Sequence, residues 1–253
     1  MKRILHAVTA AALAVLVAPV ALAAPSHAVF AFSGVGGEIA RLELTTDTGV
    51  HNLDATTRGW IQLNGTSNGA SPTNNYLAGL CGSSDSCGAG DTTHRNWFVF
   101  DLVTTAFSNI LSARLLLTVP DPGGGDQGVY VAGGDPLYTL RQVTTPISAF
   151  TSDTAGAAGF VDLGDGTTFG SRTYTLADQG TLPAITLNAS AVAYLNTRIG
   201  SDAILGGHVD QEFAPVAPTL PVPASSPAAL ALLALLLAVL AFAVTRRPRA
   251  RRG

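Results

Sequence analysis

Lysine is almost absent from this chain, the single one being Lys2 beside the initial Met. The long central part of the chain, called the body here, holds all 17 acidic residues but only seven of the 14 basic ones, so its formal charge is −10. Nucleic-acid binding needs a cluster of cationic side chains that displaces counterions from phosphates. We therefore expect no nucleic-acid partner, and the composition suits an exported soluble domain or one that binds cations.

Cysteine is scarce as well, because only Cys81 and Cys87 occur, at the two ends of the segment Cys-Gly-Ser-Ser-Asp-Ser-Cys. In an oxidising compartment, a pair within one short loop is expected to form a local disulfide. Closing so small a loop contributes about 2 kcal/mol, which shapes the loop more than it holds the fold. A metal-binding pair is the alternative, although no second Cys or His pair has zinc spacing.

Sequence motifs of catalysis are few. The chain contains no His-Glu-x-x-His and no Gly-x-x-x-x-Gly-Lys-Ser/Thr phosphate loop, and its Gly-x-Ser-x-Gly match at residues 65–69 lies at the turn signal Asn64-Gly65. The histidines of the body, His51, His94 and His208, stand singly in polar stretches, where a solvated side chain is the usual outcome. We therefore expect that the protein is not an enzyme. A hydrolase ranks behind the two non-catalytic functions considered at the end of this subsection.

Long apolar runs are confined to the two ends. A basic start precedes the apolar stretch Ile4 to Val20, and small-residue cleavage positions follow at Ala21-Leu22-Ala23 or Ser26-His27-Ala28. This order predicts a secretory signal peptide over residues 1–28, read by signal peptidase and the secretion machinery. A permanent N-terminal anchor is the alternative.

The other apolar run, residues 228–244, contains no polar or charged side chain. As a helix it would be about 25 Å long, close to the hydrocarbon thickness of about 30 Å. Arg246 and Arg247 lie directly beyond it, within an Arg-rich tail at 245–253. By the positive-inside rule this tail stays in the cytoplasm, so the pattern predicts a transmembrane helix that leaves the body outside.

The body alternates short apolar runs with Gly, Asn, Asp, Pro and Thr, which is the pattern of strands and turns. It predicts an all-β fold, a single jelly-roll-like β-sandwich over residues 29–213, flanked by the signal helix and the transmembrane helix. A parallel β-helix is the alternative, although no fixed short repeat supports it. The predicted strands are Ile39–Leu44, Thr57–Leu63, Arg95–Leu102, Ile110–Val119, Leu137–Val143, Ser171–Leu176 and Leu182–Leu187.

The run from Asn96 to Leu102 is almost continuously apolar, with Trp97 and Val99 on one face and Phe98 and Phe100 on the other. We therefore expect both faces of this strand to be covered. Residues 110–119 instead alternate between an apolar and a wetter face, as in a strand with one solvated side.

Two segments have helical character. Ile147–Phe150 follows a proline and predicts a turn at most. Asn188–Asn196 predicts a short surface helix or helical turn capped by Asn188, with Val192 and Leu195 on a common face.

The C-terminal arrangement of a Pro-rich stretch, an apolar helix and an Arg cluster resembles the PEP-CTERM class of sorting signals. Residues 214–227 form the Pro-rich spacer, extended and outside the core. The resemblance implies processing by an exosortase-type sorting enzyme at the membrane, whereas a plain membrane anchor is the alternative. The residues that carry it are Pro218, Thr219, Leu220, Pro221, Pro223, Arg246 and Arg247.

The body resembles uncharacterised PEP-CTERM-type exported proteins in the segments Arg58–Trp60, Asn75–Gly79, Arg95–Leu102 and Asp162–Thr167. The Phe-x-Phe-Asp strand within the third segment is similar to that of extracellular jelly-roll modules. Some of those modules bind carbohydrate and a structural calcium ion, which the resemblance makes an expectation here.

Calcium prefers oxygen ligands from loop carboxylates and carbonyls. Asp121 and Asp126 flank a Gly-rich loop, and Asp162 and Asp165 lie in Asp-Leu-Gly-Asp-Gly, so these four are candidate Ca2+ ligands. Ordinary turn chemistry, in which Asp bonds its own backbone, explains the same clusters.

Sugar recognition uses aromatic faces together with amide-bearing loops. Trp60, Tyr76 and Asn75 are the candidate ligand-binding residues, and core packing is the alternative for both aromatic side chains. We expect an exported structural or adhesive protein, attached at the cell surface or released into the extracellular matrix. A carbohydrate-binding module for exopolysaccharide is the alternative.

Overall fold

The computed structural model describes residues 27–30, 38–81, 92–103, 106–121, 128–131 and 134–210. All of them belong to one compact unit, Leu22–Pro215. Within these ranges no helix is both long and apolar enough to span a bilayer. The predicted transmembrane helix at 228–244, the Pro-rich spacer, the sorting-signal residues and the Arg-rich tail lie outside the described residues.

The described chain is mostly β and forms two antiparallel sheets, as predicted. The strands are β1 His27–Val29, β2 Ala40–Thr46, β3 Gly49–Asp54, β4 Thr57–Gln62, β5 Ala78–Cys81, β6 Thr92–Asp101, β7 Ile110–Leu117, β8 Val129–Val131, β9 Leu137–Gln142, β10 Thr168–Thr173, β11 Ala184–Thr186 and β12 Asp202–Val209. The larger sheet has the strand order β10-β9-β12-β6-β5-β1-β8, and β4 also pairs with β6 outside this order. The smaller sheet has the order β11-β7-β2-β3.

The main core lies between the two sheets. Leu42 and Leu115 of the smaller sheet share one cluster of buried side chains with Phe98, Phe100 and Leu205 of the larger sheet. This packing confirms the alternation predicted for β7, whose other face carries exposed Ser112 and Arg114. Two sheets that pack through their apolar faces are the basic arrangement of a sandwich.

The opposite face of the larger sheet is also covered. Trp97 and Val99 of β6 pack with Phe150 and Phe160 from two helices, α1 (Ile147–Thr151) and α2 (Gly156–Asp165). The prediction that both faces of β6 are buried is therefore confirmed, and the fold adds a helical layer to the two sheets.

Helix α2 was not among the helical predictions, and Asp162 and Asp165, which were expected to be loop carboxylates, both lie in this helix. The segment contains three glycines among its ten residues, so its local preference for a helix is weak. The burial of Phe160 and Leu163 against the sheet offsets that weakness. Arg95 of β6 lies directly against Gly164, where an added Cβ would be 2.3 Å from the guanidinium carbon, and it donates hydrogen bonds to the carbonyls of Phe160 and Val161.

The other two helical predictions fared differently. The segment after Pro146 forms the five-residue helix α1, slightly more than the single turn expected. Helix α3, Ala189–Arg198, confirms the second prediction, because the side chain of Asn188 accepts a hydrogen bond of 3.0 Å from the backbone N–H of Ala191. It is more than a surface element, since Leu195 lies in the main core.

Seven strands, β2, β4, β6, β7, β9, β10 and β11, overlap the predicted ones, and β1, β3, β5, β8 and β12 were not among them. Strand β12 lies between β6 and β9 at the centre of the larger sheet although it contains Gly206 and Gly207. A Cβ at Gly207 would lie 1.8 Å from the hydroxyl oxygen of Tyr138. Glycine in this strand therefore reflects the close approach of a neighbouring side chain and does not mark a turn.

Strand β1 begins at His27, so the predicted boundary between residues 28 and 29 falls inside a strand. His27, Ala28 and Val29 pair with β5 on one side and with β8 on the other.

Candidate ligand-binding surface around Trp60

The outer edge of β4 is covered by residues 63–77, called the amide loop here. The loop runs back along the strand and forms antiparallel bridges that pair Arg58 with Ser71 and Ile61 with Ser67. Gly59 is essential to this approach, because a Cβ there would be 2.5 Å from the carbonyl oxygen of Gly69. The loop therefore satisfies the open edge of β4, which would otherwise be free to pair with another chain.

Three asparagines of the amide loop fix its shape and hold Trp60. The indole N–H of Trp60 donates to Asn75 Oδ1 over 2.7 Å, and the backbone N–H of Trp60 donates to Asn68 Oδ1 over 2.7 Å. Asn68 Nδ2 in turn donates to Asn75 Oδ1 over 2.9 Å, and Asn74 Nδ2 donates to the carbonyl of Gly69 over 3.0 Å. The polar groups of the loop are thus largely used in holding the loop itself.

The Trp60 ring is half-buried. It packs against the small cluster of Ala28, Leu77 and Cys81, and its plane is nearly perpendicular to the ring of His94, with centroids 4.8 Å apart. Because Trp60 is only partly buried, it is the aromatic residue that a ligand could contact in this region.

His94 lies behind Trp60 and is 2% exposed. Burial lowers its pKa to about 4, so the imidazole is neutral near pH 7. Its Nε2 lies 3.0 Å from Gln62 Nε2, and its Nδ1 has no hydrogen-bond partner among the described residues. A neutral, buried imidazole without a carboxylate partner is poorly placed for proton transfer.

Two shallow depressions flank the surface. One, of about 230 Å³, is lined by residues 62–64 with Thr92 and Thr93. The other, of about 240 Å³, is lined by Arg58 and Asp54 together with Glu38, Ile39, Ala40, Ala55 and Pro72. Both volumes are below the roughly 300–1,000 Å³ typical of small-molecule sites, so any ligand here would bind at a surface and not in a cleft.

The structure corrects the role expected for Tyr76. Its side chain is completely buried, 0% exposed, with its hydroxyl within hydrogen-bond distance of the carbonyls of Ile39 and Thr118, at 3.1 and 2.9 Å. Burial raises the pKa of this phenol well above its usual range. The ring packs against Phe30 and Phe98, so Tyr76 is a core residue and has no face available for stacking on a sugar.

The buried side chain of Arg58 connects the amide loop to the rest of the body through hydrogen bonds. Its side chain is 3% exposed, and it donates to the carbonyls of Asn74 and Glu38, both over 2.7 Å. Its Nη2 lies 3.6 Å from Glu38 Oε2. The guanidinium also lies 4.8 Å from the ring centroid of Tyr76, so it contacts the core as well as the loop.

Within the described part of the chain, the candidate calcium ligands do not lie together in one site. Asp162 and Asp165 both belong to α2, and the Asp162 oxygens accept hydrogen bonds from Thr144 N, Thr144 Oγ1 and Thr145 N at 2.6–2.8 Å. Burial alone would raise the pKa of Asp162, but these hydrogen bonds outweigh it and lower the pKa below its usual range. Hydrogen bonding to nearby backbone N–H groups is the alternative to calcium binding that the sequence analysis gave for these aspartates.

Asp165 is exposed at the end of α2, and Asp121 is exposed after β7, whereas Asp126 lies outside the described residues. No group of three or more acidic, Cys or His side chains suited to a metal occurs in the part of the chain that the structure describes. A calcium site that includes the loop at 122–127 stays a prediction.

Cys81 is buried at the end of β5, and Cys87 lies outside the described residues, so the disulfide also stays a prediction. The other two histidines of the body lie in separate surroundings. His51 of β3 is within 3.0 Å of Thr48 Oγ1, and His208 of β12 accepts a hydrogen bond of 3.1 Å from Arg141 Nε.

Comparison with known proteins gives no relative to draw on. The chain matches no protein-family model, no curated protein and no solved structure.

Sequence reasoning identified Trp60 and Asn75 but overlooked Asn68 and His94. A signal for Asn68 was present, because Asn, Ser, Gly and Thr dominate residues 64–75, the composition of a loop that bonds its own backbone. The proximity of His94 to Trp60 follows only from the pairing of β4 with β6, which joins Gln62 to His94.

Proposed function

We propose that this protein is an exported structural or adhesive component, held at the cell surface by its C-terminal sorting signal or released into the extracellular matrix after processing. The observation that carries the proposal is the extent of the folded body. Its strands start at His27 and continue to Val209, so they occupy the chain between the two apolar end segments. A body enclosed by a leader and an anchor is the arrangement of a surface protein.

The charged side chains on the smaller sheet pair with one another, and the body as a whole is acidic. On the outer face of the smaller sheet, Arg41 pairs with Asp54 and Arg114 pairs with Glu43, each across neighbouring strands, with N–O distances of 2.7 and 2.6 Å. These charges neutralise one another locally. The net negative charge of the body favours solubility outside the cell.

Three finer expectations belong to the same proposal. We propose that the two sheets follow a jelly-roll-like topology, supported by the non-consecutive pairing of β2 with β7 and of β6 with β12. The Cys81–Cys87 disulfide would form on export to an oxidising compartment. An exosortase-type enzyme would process the chain near residues 218–223.

The experiment is localisation of the full-length chain in a Gram-negative host that produces exopolysaccharide. Protease added to intact cells should digest the body, and deleting residues 228–244 should release the body into the medium. Deleting the Pro-rich residues 214–227 removes the processing region but keeps the apolar segment, so it should leave the body unprocessed and attached to the cell. Recovery of the full-length, unprocessed chain as a soluble cytoplasmic species would exclude the proposal.

A carbohydrate-binding module is the second candidate, favoured by the half-buried Trp60 ring and the amide loop that holds it. Binding of the processed protein to exopolysaccharide should saturate, and Trp60→Ala should abolish it, whereas Trp60→Phe should retain part of it because an aromatic face remains. Arg114→Ala, on the smaller sheet, is the control. Equal retention of the wild type, Trp60→Ala and Arg114→Ala proteins would exclude this role.

A further inference from the structure

We propose that the signal peptide is removed after Ala23, so that the mature protein begins at Ala24. The inference rests on the proposed export of the chain. Two stretches of sequence have the small residues that signal peptidase requires, Ala21-Leu22-Ala23 and Ser26-His27-Ala28. They are five residues apart, and the position of β1 distinguishes them.

Strand β1 is an interior strand of the larger sheet. His27 is paired with Leu80 of β5 on one side and with Val131 of β8 on the other, and the pairing continues through Val29 on both sides. Strand β8 is joined to the sheet through β1. Loss of β1 would therefore detach β8 as well as expose the edge of β5.

The residues of β1 are tightly packed. His27 is 4% exposed, and Ala28 and Val29 are 0% exposed. A Cβ added at Gly79 would be 2.4 Å from the carbonyl oxygen of His27 and 2.7 Å from Ala28 Cα. Gly79, at φ +103°, is thus shaped to admit the backbone of β1.

Cleavage after Ala28 would remove two of the three residues of β1. The new α-amino group would be on Val29, a fully buried position, where a charged ammonium is strongly disfavoured. The backbone groups of β5 and β8 that faced His27 and Ala28 would lose their partners. Cleavage after Ala23 preserves the whole strand and leaves residues 24–26 between the new amino terminus and β1.

The test is the mass and N-terminal sequence of the full chain after export from a bacterial host. We expect Ala24 as the first residue. Ala23→Leu should block processing, because it places a large side chain at the last position of the leader. Ser26→Leu is the matched control: it disrupts the second motif, lies outside β1, and should leave processing unchanged.

A mature protein that starts at Val29, a block of processing by Ser26→Leu, or an exported chain that keeps its leader would overturn this inference while leaving the proposed function intact. An uncleaved chain that stays in the cytoplasm would overturn both. Normal processing of Ala23→Leu at its original position would also contradict the assignment.

Discussion

The hydroxyl of Tyr138 donates a hydrogen bond of 2.7 Å to Oδ1 of Asn96, and both side chains are 0% exposed. Asn96 Nδ2 in turn donates to the backbone carbonyl of Tyr76 over 2.5 Å. This buried chain of hydrogen bonds connects β9, β6 and the end of the amide loop. It places polar groups inside the main core, where each needs a partner.

Tyr138→Phe should lower the free energy of unfolding by about 1–3 kcal/mol, because Asn96 Oδ1 loses its buried donor. Tyr174 provides a matched control: it is also 0% exposed, but its hydroxyl has no hydrogen-bond partner among the described residues. Tyr174→Phe should therefore be neutral or stabilising. Urea denaturation of the processed protein measures both, and equal losses for the two variants would contradict the network.

Arg58→Met should destabilise the protein by about 3–5 kcal/mol, the usual cost of removing one partner from a buried ion pair. The variant leaves the Glu38 carboxylate, which is 13% exposed, without the positive charge of the guanidinium. It also removes the hydrogen-bond donors to the backbone carbonyls of Asn74 and Glu38.

Arg114→Met is the control for that variant. Its ion pair with Glu43 is shorter, at 2.6 Å, but the Arg114 side chain is 51% exposed. An exposed pair contributes only about 0–1 kcal/mol, so this change should be small. A larger loss in Arg114→Met than in Arg58→Met, measured by chemical denaturation, would show that burial does not control the two contributions.

Acid should weaken the fold between about pH 6.5 and pH 4. Burial lowers the pKa of both His94 and His208 to about 4, whereas an unfolded histidine titrates near 6.5. As the pH falls through this window, the unfolded chain binds protons before the folded one does, so the free energy of unfolding decreases. Each histidine should account for about 3 kcal/mol of that decrease.

The measurement is the free energy of unfolding at a series of pH values for the wild type, His94→Gln, His208→Gln and the double variant. Each single substitution should flatten the dependence between pH 6.5 and 4, and the double variant should flatten it further. Four parallel curves would mean that neither histidine has a lower pKa in the folded state than in the unfolded chain.

Asp162→Asn should lower the melting temperature, because an amide offers a single oxygen where the carboxylate accepts three hydrogen bonds from Thr144 and Thr145. The same loss should occur with and without a calcium chelator, since both carboxylate oxygens are already bonded within the protein. Asp165→Asn, at an exposed position, is the control and should have little effect. A chelator-dependent melting temperature that Asp162→Asn abolishes would instead identify Asp162 as a metal ligand.

Much of the strand pattern could be predicted because alternation of side chains is a local property. The run of Trp97, Phe98, Val99 and Phe100 indicated a strand buried on both faces, and that is what the two cores around β6 show. Short strands such as β1 and β8 contain too few residues for any alternation to stand out. Helix α2 was overlooked because its stability comes from Phe160 and Leu163 packing on a sheet that is distant in sequence.

The candidate site likewise combines features that the local sequence predicts with features that depend on the fold. Trp60 and Asn75 were recognisable as an aromatic residue and an amide in polar surroundings, but whether each ring is accessible depends on the neighbours that the fold supplies. Tyr76 is one residue from Asn75, yet its ring is inside the main core against Phe30 and Phe98.

The sequence by itself determined the features that depend on local composition: the apolar ends, the acidic body between them, the β-rich character and the faces of the longest strands. Only the tertiary structure decided which residues meet, that Tyr76 is buried while Trp60 is half-exposed, that Arg58 supports the amide loop, and that His27 and Ala28 belong to a strand. The physical reason is that burial and pairing are set by contacts between segments far apart in the chain, and such contacts leave no periodic signal in the segments themselves.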